Sequence, residues 1–295
     1  MIVITGATGN IGSKVTDILL SQKQQVRVIG RNADKLRVFE DKGSEAAIGD
    51  LQDVQFLAGA FSGADAAFAM IPPHYTAADF RAYQNKVGAS IASAIQRSGL
   101  KYVVNLSSQG GNLPDKTGPI KGLHDQEERL NKLDGVNILT IRPTYFMENL
   151  LMNIPLIKKM NIAGSALRGD QKFAMIATRD IAAFVAERLV KRDFSGKSVR
   201  DLLGQRDISM NEAISIIGKK INRPDLKYVQ FSYAESEKGM TGGGLSADVS
   251  KLFIEMSMAL NEGLFSVNVP RTAENTTVTS LEEFSDTFAA IYSAS

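Results

Sequence analysis

The sequence predicts an α/β protein, a doubly wound parallel sheet followed by a smaller α+β region towards the C-terminus. Three observations carry that expectation. Across about the first 140 residues, short apolar runs alternate with segments of helical period, as in successive βαβ units. The glycine-spaced turn Gly6-Ala7-Thr8-Gly9-Asn10-Ile11-Gly12 stands between the first apolar run and the first amphipathic segment. The chain has 295 residues, 44% hydrophobic and 22% charged, a globular composition. That length suits one large or two small domains at ~100–200 residues each.

Each element has its own signal. Residues 2–5 read as a buried strand, and 10–20 as a helix with Ile11, Val15, Ile18 and Leu19 on one face. Residues 25–29 give a second strand, 33–41 a second helix, and 45–48 a third strand. A short helix from Leu51 precedes a fourth strand at 66–71, which Pro72-Pro73 ends by removing backbone donors. The clearest helix spans 76–98, where Phe80, Tyr83, Val87, Ile91 and Ile95 recur every three or four residues and Gly99 supplies the stop. Residues 101–106 are a fifth strand, 122–133 a helix and 137–141 a sixth strand.

Periodicity weakens after Pro143. A helix is expected at 178–191 with Thr178 as its N-cap, a strand at 197–203, a helix at 210–221 and a strand at 226–231. Gly242-Gly243-Gly244 reads as a flexible loop before helices at 247–260 and 281–292. The expected division is residues 1–150 and a smaller region 151–295, with about 178–205 returning to the first sheet.

Charge and composition narrow the function. The net charge of +2 is spread without a basic stripe, so nucleic acid and anionic membranes are poor partners. No cysteine is present, which removes disulfides and thiolate chemistry, and the two histidines, His74 and His124, leave no basis for a metal site. Met1 leads straight into Ile2-Val3-Ile4 without a charged leader, and no run approaches ~18 apolar residues, so the expected location is the cytoplasm.

The glycine turn is where chemistry is most legible. Gly6 allows the tight turn out of the strand, Gly9 the approach of a pyrophosphate to backbone amides, and Gly12 close packing of helix on strand. An anion there meets the positive end of the helix dipole. This is the dinucleotide signature of a Rossmann domain, with Gly6, Thr8, Gly9, Asn10 and Ile11 as the phosphate contacts. The second strand ends Val28-Ile29-Gly30-Arg31-Asn32, with no acid for ribose hydroxyls. Arg31, helped by Lys35, suits a 2′-phosphate, so NADP(H) is expected over NAD(H), which stays possible; the alternative is a solvated surface arginine. Asp50, beside Leu51, either accepts from the adenine amino group or caps the next helix. Met70, Ile71 and Pro72 should line the cofactor trench through their backbone. Ser107 ends strand five on the same edge, facing cofactor and substrate or merely capping a turn. His124 and Glu128 lie one helical turn apart, either an acid–base pair or a surface ion pair.

Together these motifs resemble the NmrA-like, or atypical, branch of the short-chain dehydrogenase/reductase superfamily. The resemblance rests on Thr5 to Gly12, Gly30-Arg31-Asn32, Gly49-Asp50-Leu51, Val104-Asn105-Leu106-Ser107-Ser108, the run from Ile141 to Asn149, and Arg179-Asp180-Ile181-Ala182. It spans about the whole chain. The superfamily's usual catalyst is Tyr-x-x-x-Lys, yet none of the seven tyrosines here has a lysine four residues on. The corresponding helix instead offers His124-Asp125-Gln126-Glu127-Glu128. Family members include NADPH-dependent quinone reductases with a histidine near this position, and regulators that bind NADP without turnover.

The resemblance therefore implies an NADPH-dependent reductase of a small carbonyl or quinone-like substrate. His124, as proton donor, and Tyr145 would be catalytic, with Pro143 near the cofactor. Substrate would lie between Ser107, His124, Tyr145, Phe146 and Asn149, beneath the loop at Gly242. The alternative is a non-catalytic NADP(H) sensor acting through a protein partner. An epimerase holding NAD is disfavoured by Arg31.

Overall fold

A computed structural model of the chain describes residues 1–265 and 269–295. β1 (Ile2–Ile4) is buried along its whole length, because helices cover both faces of the sheet it anchors. In chain order there follow α1 (Gly12–Ser21), β2 (Val26–Gly30), α2 (Ala33–Glu40), β3 (Glu45–Ile48), α3 (Val54–Phe61), β4 (Ala66–Ala69), α4 (Phe80–Ser98), β5 (Tyr102–Leu106), α5 (Lys121–Asn131) and β6 (Asn137–Pro143). Next come β7 (Tyr145–Phe146), a 3₁₀ segment Met147–Asn153, α6 (Ile154–Met160), β8 (Ile162–Ser165), β9 (Lys172–Ile176), α7 (Thr178–Lys191) and β10 (Lys197–Leu202). The rest is β11 (Asp207–Ser209), α8 (Met210–Lys220), β12 (Lys227–Gln230), α9 (Tyr233–Gly242), α10 (Ala247–Asn261) and α11 (Leu281–Ala294).

The main sheet has seven strands in the order β10-β6-β5-β4-β1-β2-β3, every pairing parallel. The order in which strands are added reverses between β1 and β4, the switch point where ligands of open α/β sheets bind. β10 pairs along β6 from Lys197 opposite Ile138 to Leu202 opposite Pro143, so the expected return to this sheet is present. One core lies on the α1 and α7 side around Val15, Leu19, Phe68, Ile181 and Val185. A second lies on the α3 and α4 side around Leu57, Phe61, Val87, Ile91 and Ile95. A third, built on Met147, Ile157, Ile214, Ile217 and Phe288, holds the C-terminal region together. Among the described residues no helix is long and apolar enough to cross a membrane.

Several boundaries depart from the sequence expectation. β4 ends at Ala69 and α4 starts only at Phe80, where Asp79 accepts from the Ala82 amide as N-cap. Residues between them are freed from regular structure to form the site wall. Thr178 is not a cap: it is the first helical residue of α7, and its amide and hydroxyl both donate to the Glu148 carboxylate. A cap supplied by a residue so distant in sequence leaves no local signal. The run at Gly242 to Gly244 is not a free loop. Gly242 closes α9, a helix that Ser232 and Glu235 start with a reciprocal capping box. Small strands β7 to β9 and β11 were unmarked because each is short and paired with a segment outside its neighbourhood.

Candidate active site

The carboxyl ends of β4, β5 and β6 open onto one cavity of about 280 Å³, with the end of β1 on the same sheet edge. At β1 the chain turns at Gly6, whose φ of +65° is left-handed. A Cβ on Gly12 would stand 2.2 Å from the Gly6 carbonyl oxygen, so only glycine lets α1 begin this close to the turn. The Gly9 amide is spent inside the turn, donating to the Gly6 carbonyl at 2.9 Å. Among the described residues the Asn10 and Ile11 amides have no acceptor, and Ile11, at the N-cap of α1, offers no side-chain cap. Thr8, Gly9 and Asn10 are exposed. Unsatisfied amide donors at a helix N-terminus, beside an exposed turn, are an anion cradle. Thr5, missed in the sequence, stitches the floor: its Oγ1 accepts from the Met70 amide at 2.9 Å and donates to the Phe68 carbonyl at 3.1 Å.

Arg31 follows β2, exposed and without an ion-pair partner among the described residues. It shares a corner with Asp50 and Tyr83. Burial raises the Tyr83 phenol above its ordinary pKa, the Arg31 charge pulls it down and the Asp50 charge pushes it up. Lys35 is exposed on α2, whose N-cap is Asn32. Asp50 does not cap the next helix. Its carboxylate accepts from the Gln52 amide at 2.9 Å, while Asp53 accepts from Gln55 and Phe56 and so caps α3. Leu51 packs into the α3–α4 core. Met70 and Ile71 reach the cavity wall; the Pro72 carbonyl instead accepts from the Tyr83 hydroxyl at 3.1 Å. Pro143 lies buried behind the wall, its carbonyl accepting from the Gln109 amide.

Ser107, Tyr145, Phe146 and Asn149 all line the cavity. Ser107 is 3% exposed and does more than cap a turn, because its hydroxyl donates to the buried Glu127 of α5. Glu127 is in turn clasped by Arg142, Nε to Oε1 at 3.0 Å and Nη2 to Oε2 at 2.5 Å. Burial works against the Arg142 charge, but the bonds to Glu127 and the fields of Glu127 and Asp201 more than offset it and raise its pKa. Tyr145 stacks edge-on against Phe173 at 5.3 Å between ring centroids. Burial holds its phenol well above the usual tyrosine range, so it carries its proton throughout the neutral range.

His124 does not line the cavity. Its neighbour Leu123 and, one turn earlier, Ile120 do. The His124 Nδ1–H donates to the Gly111 carbonyl at 2.9 Å. Glu128 is exposed and makes no bond to His124, so the acid–base pair is absent. The carboxylate of that helix that faces the site is Glu127.

The cover comes from α10 rather than from the Gly242 segment. Phe253, Met256 and Leu260, at spacings of three and four, turn one stripe onto the cavity, and Phe265 completes it. Phe265 lies on Gly110, where a Cβ would be 2.4 Å from its ring, and its carbonyl accepts from the Gln109 side chain. The helix is held by Asp248, which accepts from the Phe80 amide at 2.8 Å, and by the Lys121–Glu255 bridge at 3.0 Å. Among the described residues, no side chain on the cavity wall carries a charge.

Comparison with known proteins agrees with this architecture. The sequence model of the NmrA-like family matches residues 1–285. An NAD(P)H azoreductase of Xenophilus azovorans is 27% identical over 256 residues, covering 87% of this chain and 86% of the relative. A (4-alkanoyl-5-oxo-2,5-dihydrofuran-3-yl)methyl phosphate reductase of Streptomyces griseus is 28% identical over 224 residues, covering 76% of this chain and 75% of the relative. A crystal structure of the NADPH-dependent quinone oxidoreductase of Escherichia coli, complexed with NADPH, superposes with a TM-score of 0.76 at 20% identity, covering 97% of this chain and 99% of that one.

Proposed function

Because the chain belongs to the NmrA-like family, we propose that it is an NADPH-dependent reductase of small, flat, uncharged carbonyl or quinone-like compounds. The observation that carries this reading is an apolar, charge-free cavity opening at the same sheet edge as an unsatisfied anion cradle. The azoreductase and quinone oxidoreductase relatives support the reaction type.

The residues present fit the dinucleotide. The Asn10 and Ile11 amides would take its pyrophosphate, and the unpaired Arg31, with Lys35, its 2′-phosphate. When bound, the nicotinamide supplies a hydride. Met70 and Ile71 keep water from the cavity floor, and the α10 stripe keeps it from the roof. The protonated Tyr145 hydroxyl donates a hydrogen bond to the substrate oxygen on which negative charge develops. His124, with Nδ1 fixed on Gly111, stands outside the wall and relays protons between solvent and the site.

The Streptomyces relative is named for a phosphorylated substrate. A phosphate in this cavity would find no cation among the described residues, which favours neutral substrates. The test is NADPH oxidation by purified protein with a panel of quinones and aldehydes. Turnover of neutral quinones with NADPH supports the assignment. A protein that binds NADPH but reduces none of them is a sensor, and this reading fails.

A further inference from the structure

Ser107 follows β5 on the cavity wall with its hydroxyl proton already committed. That proton goes to Glu127, whose two oxygens are both held by the Arg142 guanidinium. Both carboxylate oxygens already face guanidinium donors, and towards the serine Glu127 is the acceptor and the hydroxyl the donor. What Ser107 presents to the cavity is therefore its lone pairs. The backbone seals the arrangement, since a Cβ on Gly111 would stand 2.2 Å from Glu127 Oε1 and 2.6 Å from Ser107 Oγ. Asp201, opposite Arg142 in the β10–β6 register, adds a second half-buried carboxyl near the guanidinium. A buried ion pair is a poor source of net stability, because desolvation of both charges offsets their attraction. Its placement directly beneath a cavity-wall hydroxyl points to a different purpose.

Resting on the reductase reading above, we propose that Glu127, anchored by Arg142, is a positioning residue that fixes the Ser107 hydroxyl as a hydrogen-bond acceptor towards the cavity. Its partner is an N–H or O–H donor, supplied by the carboxamide of the nicotinamide or by the hydroxyl of the reduced product. Ser107 is then no proton donor in this site, in contrast with Tyr145, and the two groups impose opposite polarity on what lies between them.

The test uses the full chain with Ser107→Ala, Ser107→Thr, Glu127→Gln and the paired Glu127→Leu/Arg142→Met. The last replaces the ion pair with apolar side chains of similar volume and is expected to keep the fold. Dissociation constants are measured by fluorescence titration for NADPH and for its acetylpyridine analogue, which lacks the amide N–H. Inhibition constants are measured for a hydroquinone and its dimethyl ether. All variants except Ser107→Thr should weaken one donor ligand about fivefold or more, the worth of one hydrogen bond. Its donor-free analogue should change less than about twofold. Selective loss of NADPH identifies the carboxamide as the donor, and selective loss of hydroquinone the product. Equal losses for ligands with and without the donor, or no loss in any folded variant, overturn the proposal. Wild-type protein that binds no dinucleotide overturns both this proposal and the reductase reading. Wild-type binding matched by every variant overturns this one alone.

Discussion

Met256→Lys is the sharpest probe of the charge-free wall. Met256 is half-buried on the cavity stripe of α10, so a lysine stem can follow the same path and bring its ammonium to the mouth. In the wild type, an anionic substituent on the substrate would be stripped of water with no cation on the wall. That penalty is several kcal/mol, so a neutral naphthoquinone should exceed its sulfonate in kcat/KM by at least ~10³-fold. A cation about 5 Å from the sulfonate at an effective dielectric of about 20 contributes ~3 kcal/mol before solvent screening. Screening at the open side leaves roughly half of that, so the sulfonate should gain about 10- to 100-fold relative to the neutral quinone. Met256→Gln, of similar size and no charge, controls for lost packing. The assay is NADPH oxidation with both acceptors at low and high salt, and added salt should shrink the gain. Wild-type turnover of the sulfonate as fast as of the neutral quinone would refute the reasoning, as would equal gains from lysine and glutamine.

Further outcomes follow from the geometry. Gly12→Ala forces a Cβ to 2.2 Å from the Gly6 carbonyl and should weaken NADPH at least about tenfold in a fluorescence titration. Gly59→Ala, on an exposed helical glycine with nothing within 4 Å, should leave binding unchanged. Arg31→Ala should weaken NADPH about tenfold or more relative to NADH, and equal losses would remove the 2′-phosphate assignment. Tyr145→Phe should lower kcat by ~10- to 100-fold with the NADPH dissociation constant unchanged. His124→Ala should lower kcat by a smaller factor, and the reverse ranking would make the histidine the direct donor. Asp201→Asn should raise thermal stability at neutral pH, because burial, ahead of the opposing Arg142 charge, raises the carboxyl's pKa in the folded protein. A raised carboxyl makes the native state bind more protons than the unfolded chain, so wild-type stability falls as pH rises from the unfolded value through the folded one. The advantage of the asparagine should therefore vanish on acidification, and melting curves across pH check it.

How far the site was legible follows from how local each of its causes is. The glycine turn could be read because its signal is self-contained: Gly6, Gly9 and Gly12 act on one another within a single turn. The parallel sheet could be read because its central strands, Ile2–Ile4 and Ala66–Ala69 above all, advertise burial through unbroken apolar runs, whereas the edge strand Lys197–Leu202 alternates and is half exposed. Glu127 was passed over for Glu128 because spacing places both near His124, and only the docking of α5 on β6 decides which carboxylate meets Arg142. Arg142 itself lay within the recognised run from Ile141 to Asn149, where its charge looked like a motif letter rather than an ion-pair partner. Phe253, Met256 and Leu260 were visible as a helical stripe, yet a stripe that covers a cavity and one that fills a core have the same period. What separates them is the opposite wall. The loop widened between Ala69 and Phe80, and the Ser107-to-Gly111 turn capped by Phe265, hold that wall away from α10. The cavity is thus a gap between segments far apart in sequence that meet at its rim, through Phe80 and Asp248, and such a gap has no residue of its own to mark it.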